Sequence, residues 1–220
     1  MANKRIIPIG SLVIGLIFGL VMLVTYLLVK PPAPPSELEG VLRKNFRPIS
    51  GFQLQSRSHG PITSSSLRGK WSFVFFGYLS CPDICPNTLH ELSQFRRLLL
   101  DENGAEPEDM QVIFISVDPV RDSTENLASY VRHFHHSFIG ATAGKGAIER
   151  LARQFGAGYV IEAETAPGQY LVAHTSAIFL VDPSGRLVAS FSQPHYAATL
   201  LSQYRKITAY FSGAGQAPAD

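Results

Sequence analysis

The sequence contains only two cysteines, Cys81 and Cys85, among its 220 residues. A structural zinc site closed by four protein ligands would need two further, non-thiol ligands, which makes it the weaker interpretation of this pair. Charged residues are also sparse: they make up 16% of the chain and leave a formal net charge of +2. The sequence has no basic stripe with interleaved aromatic residues, so we expect no nucleic-acid partner. At this length the chain fits one domain with extensions.

Charge is absent altogether from residues 6–29, IIPIGSLVIGLIFGLVMLVTYLLV. A helix of that length reaches about 36 Å, enough for a hydrocarbon core of about 30 Å. A cleaved signal peptide would have a shorter apolar region and a small-residue cleavage site, whereas Lys30 and PPAPP follow here. Lys4 and Arg5 precede the run, which predicts a cytoplasmic N-terminus at 1–5, a transmembrane anchor at 6–29 and a domain on the far side. We therefore expect a single-pass protein of the bacterial inner membrane whose domain faces the oxidising periplasm.

The remainder divides into three parts. Residues 30–60, beginning with a proline-rich spacer, are expected to be the linker and the domain entry, with irregular or short-stranded structure after residue 36. Residues 61–212 are expected to form the domain, and residues 213–220 a disordered tail. Apolar runs and helical periodicity predict the elements of that domain. The strands are expected at 71–77, 111–117, 176–181 and 187–191, and the helices at 88–100, 123–136 (with Ser123 as N-cap), 147–155 and 195–211. This order predicts an α/β fold: a thioredoxin-like mixed sheet flanked by helices, with one N-terminal transmembrane helix.

The cysteines lie in FFGYLSCPDICPNTLHEL, at the end of the first predicted strand. Pro86 is well tolerated at the first position of a helix, which predicts that the helix begins there with Cys85 as its N-cap. The helix dipole would then lower the thiol pKa and favour thiolate. Three interpretations of the pair remain open: a structural disulfide, a redox dithiol and a binding site for a soft metal ion. A disulfide that closes so short a loop would add little stability through loop closure.

Histidine is the residue that would complete a soft-metal site with two thiolates. Three of the seven histidines form the cluster His133, His135 and His136, which is expected to be a solvated helix end. His174 precedes a predicted core strand, at the turn that faces the dithiol in thioredoxin-like folds. It is therefore a candidate for the third ligand, which position alone does not select.

Three stretches together resemble the Sco/SenC copper chaperones of cytochrome c oxidase assembly. They are GKWSFVFFGYLSCPDICPNTLHEL, VIFISVDPVRDSTENLASYVRHF and HTSAIFLVDPSGRL, in that order. The resemblance implies that Cys81, Cys85 and His174 bind copper. The chain departs from the family pattern at Ser80, where threonine is common, and beside the histidine. There Ala173 and Thr175 replace Asp and Ser, and loss of the carboxylate could remove a hydrogen bond that supports His174.

Asp118 and Asp122 follow the second predicted strand, at the end of the sheet where sites cluster. The structural interpretation is that Asp118 caps a turn before Pro119 and that Asp122 pairs with Arg121 or Arg132. The functional interpretation is that they order the cysteine loop or meet a basic partner.

These observations favour a membrane-anchored copper chaperone that carries one Cu(I), with Cu(II) as an alternative. Its expected partners are the copper-accepting subunit of cytochrome c oxidase, which holds a dinuclear copper site, and an upstream copper donor or thiol reductant. The first alternative is a thiol–disulfide oxidoreductase with Cys81 and Cys85 as its redox pair, so enzymatic activity stays open. A peroxide-reducing module is a weaker alternative, because no arginine lies between Lys70 and Arg96 to activate a thiolate.

Overall fold

A six-stranded mixed sheet forms the centre of the computed structural model, which describes residues 9–29, 34–104 and 107–213. The strands are β1 (Leu42–Pro48), β2 (Gln53–Leu54), β3 (Ile62–Thr63), β4 (Trp71–Gly77), β5 (Met110–Ser116), β6 (Ile139–Ala141), β7 (Tyr159–Ile161), β8 (Val172–His174), β9 (Ile178–Val181) and β10 (Arg186–Phe191). The α-helices are α1 (Ile9–Val29), α2 (Ser64–Leu67), α3 (Ile84–Asn103), α4 (Thr124–Phe134), α5 (Lys145–Phe155) and α6 (Ala197–Gly213). The central sheet has the order β1–β10–β9–β4–β5–β6, while β2–β3 and β7–β8 form separate two-stranded sheets.

The two central strands, WSFVFFG and MQVIFIS, are buried over their whole length and pair in parallel. Successive side chains of a strand point to opposite faces, so each strand supplies both sides of the core. Phe73 and Phe75 join the cluster packed against α3, α4 and α6. Val74 and Phe76 join the cluster on the opposite face, where α5 and β8 pack. The sheet is thus covered by helices on both faces, and the predicted mixed α/β fold is confirmed.

The individual elements lie close to their predicted positions. Ser123 is the N-cap of α4, and its hydroxyl accepts a hydrogen bond from the amide of Asn126 at 3.2 Å. Helix α5 ends at Gly156, whose left-handed backbone (φ 71°) is the conformation that favours glycine at a helix C-terminus. The predicted hairpin is the antiparallel pair β9–β10.

The segment that enters the domain contains strands. Residues 30–60, predicted to be linker and domain entry, contribute the edge strand β1, which pairs with β10. Residues 1–8, 30–33 and 214–220, which include parts of the predicted anchor, spacer and tail, lie outside the described residues. The predicted anchor overlaps α1. Among the residues that the structure describes, no helix combines the length and the apolar character that a membrane crossing requires.

Candidate metal centre

The two cysteines lie where the chain leaves β4 and enters α3. The structure corrects the predicted helix start: Asp83 is the N-cap and α3 begins at Ile84, so Cys85 lies in the first turn. Pro86 is accommodated there because the first amides of a helix have no partner within the helix. Cys81 precedes the helix, and its sulfur accepts a hydrogen bond from the amide of Cys85 at 3.4 Å. Both are free thiols, Cys85 fully buried and Cys81 half-buried.

His174 comes from a different part of the chain, the last residue of β8. Its Nδ1 lies 3.1 Å from the main-chain oxygen of Thr175. A carbonyl oxygen only accepts, so in the neutral ring Nδ1 carries the proton and Nε2 keeps its lone pair. Nε2 lies 3.5 Å from Sγ of Cys85. The rings of Phe75 and Tyr78 flank the imidazole, with centroids at 6.0 and 5.9 Å.

The fold therefore brings together the three residues that the sequence singles out. One ligand atom from each of Cys81, Cys85 and His174 lies within 4.8 Å of the others, and the group could hold a metal ion. Within the described ranges, His133, His135 and His136 belong to no such group. They lie at the C-terminal end of α4, as expected.

The pKa values of the two cysteines are shifted in opposite directions. A hydrogen bond from the Cys85 thiol lowers the pKa of Cys81 to about 3. The amides of Cys85 and Asp83 act in the same direction, against a burial that raises it. The hydrogen bond to Cys81, burial and the negative charge of Cys81 all raise the pKa of Cys85. These shifts favour the thiolate form of Cys81 in the reduced site and keep the remaining proton on Cys85.

Gly77 is a residue of the site that the sequence analysis missed. A Cβ atom at this position would lie 2.6 Å from Sγ of Cys85 and 2.6 Å from Cε2 of Phe114. The cysteine sulfur can pack against the end of β4 only because residue 77 has no side chain. A glycine at the end of a buried strand is a signal for such a close approach.

Asp118 and Asp122 are both buried, and each interpretation of them is met in part. Asp118 accepts hydrogen bonds at its main-chain oxygen from the amides of Arg121 and Asp122, which form a turn. The ion pair of Arg121 goes to Asp118 and not to Asp122. Asp122 instead accepts hydrogen bonds from the Ser116 hydroxyl at 2.6 Å and from the amide of Leu79 at 3.0 Å. Asp122 thereby contacts the loop that carries Cys81.

Two sulfurs and one imidazole nitrogen are a soft donor set. Thiolate and imidazole ligands suit Cu(I), whereas Mg²⁺ and Ca²⁺ prefer oxygen ligands. The lone pair of Nε2 is available, the lowered pKa of Cys81 favours its thiolate, and Cys85 would release its proton on binding. The donor set therefore fits a single soft metal ion.

The family model described as SCO1/SenC matches residues 42–209. A SCO2-like protein of Rickettsia conorii is 30% identical over 184 residues, covering 82% of this chain and 87% of that protein. The match spans 71% of one further bacterial relative, and 44% and 54% of two mitochondrial relatives.

Solved structures give the same result. Arabidopsis thaliana ScoI with copper bound has a TM-score of 0.66 and 32% identity, and the match covers 74% of this chain and 99% of that one. Apo Sco1 of Thermus thermophilus has a TM-score of 0.65 and 35% identity, covering 77% and 95%.

Proposed function

This chain belongs to the SCO1/SenC family, and we propose that it is a copper chaperone that binds one copper ion through Cys81, Cys85 and His174. The observation that carries the proposal is the convergence of three soft ligand atoms within 4.8 Å, contributed by segments 89 residues apart. A copper-bound structure of a relative of 32% identity supports copper as the metal. The softness of the donors favours Cu(I) as the resident state, with Cu(II) as the alternative.

The same geometry supports delivery of the ion to a partner. Cys81 and His174 are half-buried, so an incoming ligand can reach two of the three donors while Cys85 stays enclosed. Copper would leave by exchange of ligands with the acceptor, and the proton would return to Cys85. The proposed acceptor is the copper-accepting subunit of cytochrome c oxidase, with an upstream copper donor or thiol reductant that prepares the site.

We also propose that the protein is held in the bacterial inner membrane with this domain in the periplasm. The run at 6–29 carries no charge. In α1 the apolar side chains of Ile14 and Leu16 are 70% and 74% exposed, so they lack a covering within the described chain. Membrane fractions washed with alkaline carbonate test this: retention of the chain is expected, and complete release would contradict an anchor.

A thiol–disulfide oxidoreductase is the second candidate, and the thiolate of Cys81 favours it. Cys81 would attack an acceptor disulfide, Cys85 would then displace the mixed disulfide, and the two thiols would end as a disulfide while the acceptor gains two thiols. This reaction needs no imidazole ligand.

The experiment that separates the two uses the reduced full-length protein in mild detergent. Cu(I) is titrated against a competing chelator for the wild type, Cys81→Ser, Cys85→Ser and His174→Ala. One copper per chain, with affinity weakened by each substitution, is expected for the chaperone. Weak Cu(I) binding by the wild type, or an affinity that His174→Ala leaves unchanged, would refute the three-ligand site and favour the oxidoreductase.

A further inference from the structure

The segment 116–122, which follows β5, supplies none of the three candidate ligands but contacts both chain segments that carry them. We refer to Asp118, Arg121 and Asp122 as the tether. The side chains of both aspartates are buried: Asp118 is 0% and Asp122 is 2% exposed. Buried carboxylates are costly unless they are paired or hydrogen-bonded, so their contacts have to be accounted for.

On the cysteine side, the tether acts through Asp122. Its Oδ2 accepts a hydrogen bond from the amide of Leu79, two residues before Cys81. The Ser116 hydroxyl donates to the same oxygen, which fixes the carboxylate against the end of β5. Leu79 lies just past the last paired residue of β4, Gly77, where the sheet no longer holds the chain. Asp122 therefore fixes the start of the loop that presents Cys81.

On the histidine side, the tether acts through Tyr170, four residues before His174. The Tyr170 hydroxyl donates to Oδ1 of Asp118 at 2.8 Å. Nη1 of Arg121 donates to the main-chain oxygen of Tyr170 at 2.9 Å, and the guanidinium lies 3.6 Å from the centre of its ring. The ion pair between Arg121 and Asp118 joins these contacts into one unit.

The histidine side needs such a tether because β7 and β8 form a separate sheet of two three-residue strands. A lone two-stranded hairpin is at best marginally stable, and its position relative to the central sheet must come from side-chain contacts. Val172 provides one such contact by packing into the core, and Tyr170 provides another. Bringing ligands from two mobile segments to one ion would cost ordering free energy that a fixed geometry avoids.

We propose that four positioning residues hold the loop that carries Cys81 and the β7–β8 hairpin that carries His174 in the relative position that metal binding requires. They are Asp118, Arg121, Asp122 and Tyr170. This inference rests on the proposed function, because it concerns the affinity of the same site. It assigns the buried acidic pair after β5 a role in preorganising the ligands, in addition to its contribution to the fold.

The decisive variant is Tyr170→Phe, which removes one hydroxyl and keeps the ring under Arg121. Groups hydrogen-bonded directly to a metal ligand contribute about 10-fold to 100-fold in metal affinity. Tyr170 acts one contact further out, so we expect the lower end of that range, with Cu(I) bound to the reduced full-length protein about 10-fold more weakly. The matched control is Tyr159→Phe on the same hairpin. The Tyr159 hydroxyl is buried without a hydrogen-bond partner among the described residues, so its removal breaks no bond and the affinity should stay at the wild-type value.

Two further measurements distinguish positioning from general stability. In a His174→Ala background, Tyr170→Phe should leave the residual Cu(I) affinity unchanged, because the hairpin then carries no ligand. In the metal-free protein, hydrogen exchange at the amide of Glu162, which bonds to Leu171 across the hairpin, should accelerate in Tyr170→Phe and not in Tyr159→Phe.

Equal affinities for the two phenylalanine variants, or a loss that persists in the His174→Ala background, would overturn the inference. A wild-type protein that binds no Cu(I) would instead refute the proposed function. In that case the exchange measurement alone decides: faster exchange in Tyr170→Phe alone supports the tether, and unchanged exchange overturns it.

Discussion

The substitution Gly77→Ala adds only one methyl group and changes no ligand, yet it should weaken copper binding strongly. The added Cβ would lie 2.6 Å from Sγ of Cys85 and 2.6 Å from the Phe114 ring, whereas ordinary contacts lie at 3.4–4 Å. Each neighbour would have to move by about 1 Å to restore contact at a normal distance. Phe114 lies in β5, which is paired with β4 on one side and β6 on the other, whereas Cys85 lies in the first turn of α3. The displacement therefore falls mainly on the cysteine sulfur and that first turn.

The magnitude follows from two terms. Forcing an extra methyl group into a packed core costs about 1–3 kcal/mol of folding stability. A sulfur displaced by about 1 Å can no longer meet the other two ligands at bonding distance, and a loss of about 1.4 kcal/mol in binding is a tenfold weaker affinity. We expect at least a tenfold fall in Cu(I) affinity, measured by chelator competition on the reduced protein, together with a lower urea midpoint.

Gly140→Ala is the control. A Cβ on Gly140, in the edge strand β6, would lie 2.8 Å from the backbone of Leu127 in α4, so the variant should lose comparable stability. It touches none of the three ligands, so the folded variant should bind copper with wild-type affinity. If Gly77→Ala binds copper as tightly as the wild type, the close approach of Cys85 to β4 does not set the position of the ligand.

Three further predictions concern protonation and stability. The pKa of Cys81 is lowered to about 3, so Cys81 should react with iodoacetamide as a thiolate throughout the range from about pH 5 to 8. The alkylation rate of Cys81 in the reduced, metal-free protein, followed by peptide mapping, should therefore not change with pH over that range. A rate that rises tenfold per pH unit would contradict the thiolate. Because the pKa of Cys85 is raised and Cys81 is already ionised, copper binding should release one proton, so affinity should rise about tenfold per pH unit between about pH 6 and 8. A hundredfold rise in chelator competition would mean that both sulfurs start protonated. Ser123→Ala removes the N-cap of α4 and should lower the free energy of unfolding, measured in urea, by about 1 kcal/mol. Copper affinity should stay at the wild-type value, and a changed affinity would contradict the assignment of Ser123 to the cap alone.

The sequence predicts the local structure well and the arrangement poorly. Runs such as WSFVFFG have few alternatives to a buried strand, and a glycine after 147–155 marks the end of its helix. The strand order, with β9 and β10 between β1 and β4, depends on long-range pairing that no local pattern encodes. The predicted N-cap at Cys85 was wrong because a proline is tolerated anywhere in the first turn, so Pro86 does not by itself fix where α3 begins.

For the candidate site, spacing identified the cysteine pair, and the position of His174 ahead of a predicted core strand made it one candidate for the third ligand. The family resemblance selected it, and the fold then brought its ring to Cys85. What sequence reasoning could not provide is the set of contacts around those residues. Gly77 is visible only once Cys85 packs on it, and Tyr170 only once the hairpin folds back onto Asp118.

The residues beside His174 show why a departure from a family motif need not alter a site. Ala173 stands where a carboxylate is common, and its loss was expected to remove support from the imidazole. In the structure the Nδ1 proton of His174 is bonded to the main-chain oxygen of Thr175, which a residue of any type at 175 would supply. Residue 173 is exposed, and neighbouring side chains in a strand point to opposite faces, so a carboxylate at 173 would not face the Nδ1 atom of His174. The hydroxyl of Thr175 is likewise bonded away from the ring, to the backbone of Gly158 across the hairpin. The tautomer that leaves Nε2 free for a metal is therefore fixed by the backbone of the hairpin, and we expect the substitution at 173 to leave the coordinating nitrogen unaffected.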